Sequence, residues 1–141
     1  MDHVVYVDAK EKEFERIISG KQTMIIRGAA GRKLPYGRVN ESDRLFFVRN
    51  NGEGCVVASA FVAQVFNSKK MTEEESVSLV SSHKEYLQLS DKSFSRCAGK
   101  RYIVLVTLTE VKAVEPFDID RSEYGNMDDW LPVDEIERIK K

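Results

Sequence analysis

"RYIVLVTLTEVKAV", residues 101–114, is the longest stretch of β-type sequence in this chain of 141 residues. Its alternating side chains form two sets, Tyr102, Val104, Val106 and Leu108 on one face and Ile103, Leu105, Thr107 and Thr109 on the other. Both sets are largely apolar, and a strand that is apolar on both faces belongs in the interior of a sheet. The stretch therefore predicts a central strand, which we expect to end at Pro116 because proline cannot donate a ladder hydrogen bond.

Shorter elements surround this strand. The predicted strands are 3–7, 23–27, 44–49 and 54–66, the last two joined by an Asn-Gly turn that favours a hairpin. Helices are predicted at 9–19, after Thr72, at 84–87 and at 91–97. The first two follow capping-box spacings, Asp8 with Glu11 and Thr72 with Glu75. This order predicts an α+β fold in which the sheet curls into a small β-barrel with short peripheral helices.

The composition is that of a soluble globular protein, with 42% hydrophobic and 32% charged residues. The N-terminus lacks the basic region of a signal peptide, and no apolar run approaches the roughly 20 residues of a membrane span. We therefore expect a cytoplasmic monomer with no membrane partner. Cys55 and Cys97 have no CxxC spacing, and His3 and His83 are isolated, so we expect reduced thiols, no metal and no cofactor.

Charge is separated along the chain, although the net charge is only −1. Residues 16–40 include Arg and Lys but no Asp or Glu, whereas residues 115–137 hold nine acidic residues against the single base Arg121. The basic stretch contains "IIRGAAGRKLPYGRVN", residues 25–40, a glycine-rich loop with cations and Tyr36. Such a loop suits single-stranded or looped nucleic acid. The alternative is a solvated face, or one covered by the acidic tail, 115–141, which we expect Trp130 to anchor on the domain.

Several segments resemble the ASCH domain of the PUA-like superfamily. They are "FERIISGKQTMIIR" (14–27), "ESDRLFFV" (41–48), a V-A-x-A-x-V strand from Val57 and the returning strand "KRYIVLV" (100–106). The matching positions are Gly20, Lys21, Thr23, Arg27 and Asp43. The resemblance implies a single ASCH/PUA-like domain over 1–141, with a cleft between the first helix, the loop after the second strand and the returning strand. The family is associated with RNA binding.

These observations together predict an RNA-binding module that holds single-stranded or structured RNA in a basic cleft around residues 21–38. The expected phosphate contacts are Lys21, Arg27, Arg32, Lys33 and Arg38. Tyr36 is expected to stack on a base, and Lys100 and Arg101 to extend the surface. Arg27 also suits a second role, as a buried ion-pair partner of an acidic residue such as Asp43.

Two further functions stay open. One enzymatic branch of the resembled family uses G-x-K-T-x-T to hydrolyse an amide of acetylated cytidine, but this chain has Gln22 and Ile25 at the catalytic Lys and Thr positions. Neither side chain ionises or attacks. A small hydrolase acting on a modified nucleoside or nucleotide would need a base such as Glu110, Asp129 or Lys21, and the sequence assigns no catalytic residue. The other alternative is a protein-interaction domain whose acidic tail recruits basic partners.

Overall fold

The computed structural model describes residues 1–125 and 128–141. Its strands are β1 (Asp2–Val7), β2 (Met24–Ala29), β3 (Arg44–Arg49), β4 (Cys55–Asn67), β5 (Tyr102–Asp118) and β6 (Trp130–Asp134). Its helices are α1 (Glu13–Ile18), α2 (Glu73–Ser82), α3 (Lys84–Leu87) and α4 (Asp91–Cys97), and one 3₁₀ turn spans Ile136–Arg138. Within these residues, no helix combines the length and the apolar character that a membrane span requires.

The strands form one curled, half-barrel sheet in the order β2-β5-β4-β3-β1-β6. The β1/β3 pair is parallel and the other pairs are antiparallel. As its two apolar faces predicted, β5 lies inside the sheet, between β2 and β4. The predicted α+β fold with a barrel-like sheet and short peripheral helices is confirmed.

The prediction that the central strand ends at Pro116 was wrong, because β5 continues to Asp118. Ala113 pairs with Ala58 and Phe117 pairs with Val56, so three residues of β5 face one residue of β4 at a register shift. Pro116 lies in this bulge. A bulge leaves residues outside the ladder, which is why a residue without an N–H is tolerated there.

The first helix begins later than predicted. Asp8 accepts a hydrogen bond from the Glu11 amide (3.1 Å), as its capping spacing predicted, but Lys12 then adopts a left-handed conformation (φ 57°) and α1 starts only at Glu13. Residues 9–12 are a turn. The second capping box is confirmed, with Thr72 and Glu75 bonded reciprocally at the start of α2.

The inner face of the sheet holds the main core, to which all six strands contribute. Trp130 is fully buried there, and its indole N–H donates to Nδ1 of the fully buried His3 (3.1 Å). His3 Nε2 lies 2.8 Å from Asp43 Oδ2. Trp130 therefore fixes the start of β6 through both packing and a hydrogen bond.

The opposite face of the sheet carries two separate apolar clusters. Helices α2 and α3 bury Val80 and Leu87 against Ile26, Ile103 and Leu105 of β2 and β5. On the rest of this face, Leu131 and Val133 of β6 pack beside apolar side chains of β1, β3 and β4. The flanking residues of the C-terminal segment that pack against them are Ile119, Ile136 and Ile139.

Candidate functional site

A cleft lies at the open seam of the half-barrel, where Arg27 of the edge strand β2 reaches towards the other end of the sheet. Its Nη2 donates to the Tyr6 carbonyl of β1 (2.8 Å), and its Nη1 donates to the Ile26 carbonyl (2.9 Å). Its Nε lies 3.3 Å from Oδ2 of Asp129, the residue before β6, and its guanidinium carbon lies 5.6 Å from the Trp130 ring centre. The guanidinium is therefore held from several sides.

Arg27 and Asp129 line two cavities, one on each side of their contact. The first, which we call the helical chamber, has a volume of about 150 Å³ and lies against α1 and α4. The second, the loop chamber, has a volume of about 100 Å³ and lies against the loop that follows β2. The ion pair thus divides one cleft into two.

Most polar groups of the helical chamber are already engaged with one another. Gln22 is 2% exposed; its Nε2 donates to Glu13 Oε2 (2.9 Å) and its Oε1 accepts from Arg16 Nε (3.2 Å). Arg96 lies 3.7 Å from the Asp8 carboxylate. These mutual contacts make the helical chamber a structural polar network.

Cys97 also lines the helical chamber. Burial raises the pKa of its thiol, although the nearby Arg27 and Arg96 act in the opposite direction. Since the thiolate is the nucleophilic form, a raised pKa makes Cys97 a poor nucleophile at neutral pH.

The loop chamber has an aromatic wall and a cationic rim. The Tyr36 and Tyr102 rings meet edge to face at 5.6 Å, and the Tyr36 hydroxyl donates to the Ser68 carbonyl (2.5 Å). The Arg32 guanidinium carbon lies 5.7 Å from each ring centre, and Lys33 lines the opening. Cations therefore stand beside a fixed aromatic surface, an arrangement that suits stacking and phosphate contact.

Backbone groups complete the loop chamber at Gly28, Ala29 and Gly31. A Cβ at Gly28 would lie 3.2 Å from Lys100 Cγ, so the Lys100 stem packs directly against this glycine. Glycine here allows the returning segment before β5 to approach β2 closely. Lys100 is thereby placed beside the chamber.

The predicted site residues divide into two groups. Arg27, Lys33 and Tyr36 line the loop chamber, Arg32 stacks on its tyrosines, and Lys100 packs beside it. Exposed residues that line neither chamber form the second group, Lys21, Arg38 and Arg101. Their proximity in sequence to the cleft residues does not bring them into it.

The alternative pairing of Arg27 with Asp43 was wrong. Asp43 accepts from His3 and from the Asn40 amide (2.9 Å), close to β1 and β3, whereas Arg27 pairs with Asp129. Asp129 of the acidic tail therefore supplies a counter-charge of the expected kind, and the cation that it contacts is Arg27.

The hydrolase alternative gains no support from the geometry. Ile25 is fully buried in the core and Gln22 is held in the polar network, so neither position offers a nucleophile. Of the three candidate bases, Glu110 is exposed on β5, Lys21 is exposed after α1, and Asp129 alone lines the cleft, in contact with Arg27. Within 1–125 and 128–141, no group of three or more His, Cys, Asp or Glu side chains could hold a metal ion.

Sequence reasoning missed Tyr102 and Arg96 as cleft residues. Tyr102 had a signal, since it lies at the start of the central strand on the same face as Val104, and both line the loop chamber. Arg96 had none, because its position depends on how α4 packs beside β2.

A curled, mostly antiparallel sheet with short peripheral helices and a cleft at its seam is the architecture of an ASCH/PUA-like α+β fold. Within that class the chain has an ASCH-type fold. It matches the crystal structure of ASCH from Zymomonas mobilis with a TM-score of 0.68 and 16% sequence identity, over 94% of this chain and 87% of that chain. Two mutants of that protein, a tyrosine-to-phenylalanine and a serine-to-alanine form, each match with a TM-score of 0.69.

Sequence comparison adds nothing to this likeness. No protein-family model matches the chain, and no curated protein matches it significantly. At 16% identity the structural likeness extends to the fold alone.

Proposed function

We propose that this protein binds RNA, in single-stranded or looped form, through the loop chamber and its rim. The observation that carries the proposal is the convergence of Arg32, Lys33 and Lys100 with the aromatic pair Tyr36 and Tyr102 at one concave site. The resemblance to the ASCH domain, with its association with RNA binding, points in the same direction.

The two kinds of side chain have separate roles in this proposal. The exposed cations on the rim contact phosphates, and each contact releases counterions and makes the affinity depend on salt. The tyrosines supply faces on which a base stacks, worth about 1–3 kcal/mol per base. Single-stranded RNA fits better than a duplex, because its unpaired bases are free to enter a chamber.

The backbone around the chamber favours close approach of the ligand. Gly28 and Gly31 carry no side chains that would narrow the opening. The Tyr36 hydroxyl is tied to the carbonyl of the buried residue Ser68, so the ring is held in place before a ligand arrives. A preformed aromatic wall reduces the ordering cost of binding.

The test is a fluorescence anisotropy titration of labelled single-stranded RNA and of tRNA at two salt concentrations. The Arg32→Ala/Lys33→Ala variant should bind roughly tenfold more weakly at low salt, and its salt slope should be shallower by about 1.4, since each phosphate contact to a single strand contributes about 0.7.

The matched control is Lys112→Ala/Lys141→Ala, which removes the same charge from exposed positions outside both chambers. Its affinity should stay close to that of the unchanged protein. Equal losses in the two variants, or an affinity that ignores salt, would refute the proposal.

A further inference from the structure

Asp129 occupies the centre of the cleft, where the helical and loop chambers meet. Its backbone carbonyl accepts from the Tyr6 amide (2.9 Å), and the next residue, Trp130, is fully buried. The main chain on the C-terminal side of this residue is therefore fixed. The side chain itself is 62% exposed and faces both chambers.

The contact with Asp129 changes what Arg27 offers to a ligand. A phosphate placed on Arg27 would also lie beside the Asp129 carboxylate, and the two negative charges would repel each other. A neutral polar group meets no such repulsion. At this point the cleft presents carboxylate oxygens, which only accept hydrogen bonds, directly beside a guanidinium, which only donates them.

The four RNA bases differ in how their Watson–Crick edges match this pair. Adenine, cytosine and uracil each present one donor group there, alongside acceptors. Guanine presents two adjacent donors, N1–H and the N2 amino group, followed by the O6 acceptor. Only guanine offers one N–H to each oxygen of a carboxylate and an acceptor to a neighbouring arginine.

We propose that Asp129 makes the loop chamber selective for guanine. The inference rests on the proposed RNA binding and names the base that the chamber takes. The guanine ring stacks against Tyr36 and Tyr102, its N1–H and N2–H donate to Asp129, and its O6 accepts from Arg27. The two Arg27 bonds to main-chain carbonyls hold the guanidinium in place for this contact.

The experiment uses the full chain and fluorescently labelled uridine hexamers that carry one central guanine, adenine, cytosine, inosine or uridine. Each good bidentate contact contributes about 5- to 150-fold in discrimination, so the guanine oligonucleotide should bind at least about fivefold more tightly than the adenine, cytosine and uridine ones. Inosine lacks the N2 amino group and should fall between guanine and the rest.

Asp129→Asn should reduce the preference for guanine to less than about twofold, because an amide offers one acceptor and one donor. Asp128→Asn is the matched control, since it removes the same charge from the adjacent residue, which lines neither chamber. The control should keep the preference. Circular dichroism and a thermal melt of both variants check that they fold.

The outcomes separate the two proposals. If no oligonucleotide binds in a salt-dependent manner, RNA binding fails and guanine selectivity with it. If all five bind with equal affinity, only the selectivity fails. If Asp129→Asn tightens binding of every oligonucleotide alike, Asp129 is a charge that competes with phosphate for Arg27, and the selectivity is likewise refuted.

Discussion

Two carboxylates of this protein stand in nearly the same local position but in opposite surroundings. Asp43 directly precedes β3 and pairs with His3, and Asp129 directly precedes β6 and pairs with Arg27. The Asp43 and His3 side chains are 9% and 0% exposed, whereas those of Asp129 and Arg27 are 62% and 19% exposed. Burial, more than pairing, therefore decides whether such a contact stabilises the fold or stays accessible from the cleft.

The largest expected effect comes from removing the Trp130 ring, which lies between the Asp43–His3 pair and the Asp129–Arg27 pair. Trp130 donates to His3 on one side and lies near Arg27 on the other. Trp130→Ala should lower the free energy of unfolding by about 3–5 kcal/mol, the usual cost of truncating a buried aromatic side chain. Urea denaturation measures it, and a loss below about 1 kcal/mol would show that β6 is not anchored by this residue.

The buried pair should also make stability depend on pH. Burial lowers the pKa of His3 below its ordinary 6.5, although Asp43 and Asp2 oppose the shift; the N-terminal amine adds to it. The indole N–H donates to Nδ1, so folding favours the neutral ring with its proton on Nε2.

Because the folded state disfavours the proton, this contribution is complete above pH 6.5 and is lost as the pH falls from 6.5 towards the lowered value. The urea concentration at the unfolding midpoint of the unchanged protein should therefore decrease as the pH is lowered from 7.5 to 5. Variant His3→Asn should be less stable at pH 7.5 and should show a flatter profile over that range. Parallel profiles would mean that His3 does not titrate with folding.

The exposed pair should contribute little to stability. Asp129→Asn should change the free energy of unfolding by less than about 1 kcal/mol, as is usual for solvent-screened ion pairs. Asp43→Asn should cost more, about 1–3 kcal/mol, because it disturbs a buried acceptor. Equal losses of stability in the two variants would show that burial does not set the contribution of these carboxylates.

The smallest expected effect on stability is at Gly28. An added Cβ meets Lys100 Cγ at 3.2 Å, and the flexible lysine stem can move aside. Gly28→Ala should therefore shift the free energy of unfolding by no more than about 0.5–1 kcal/mol. It should weaken RNA binding more clearly, because the methyl group and the displaced lysine change the loop chamber; anisotropy and denaturation on the same preparation separate the two effects.

The sequence predicted those elements whose cause is local. The two-faced apolar pattern of residues 101–114 identified the central strand, and the Thr72 capping box identified α2. It failed where a distant segment decides the outcome. Pro116 remains in β5 because it lies in a bulge of that strand, where three residues of β5 face one residue of β4. The sequence of β5 alone does not show how β4 pairs with it.

The site shows the same limit. The acid-free stretch drew attention to the loop after β2, because charge composition is a local property. The pairing of Arg27 depends on which carboxylate reaches the seam, and Asp43 and Asp129 are equally plausible partners by residue type. Only the strand order, which places β6 beside β1 and brings Asp129 to the seam, selects between them.

The place of β1 in the sheet bears on how the chain is made. Its neighbours are β3 and β6, so the first strand pairs with the last one, more than 120 positions further along. During synthesis on the ribosome, β1 and β3 can associate early, but one edge of β1 stays open until residues 130–134 emerge. An open edge invites association between nascent chains, and contacts between distant segments form slowly. The cleft, which needs Asp129, is therefore completed only after residues 129–134 have emerged and paired with β1.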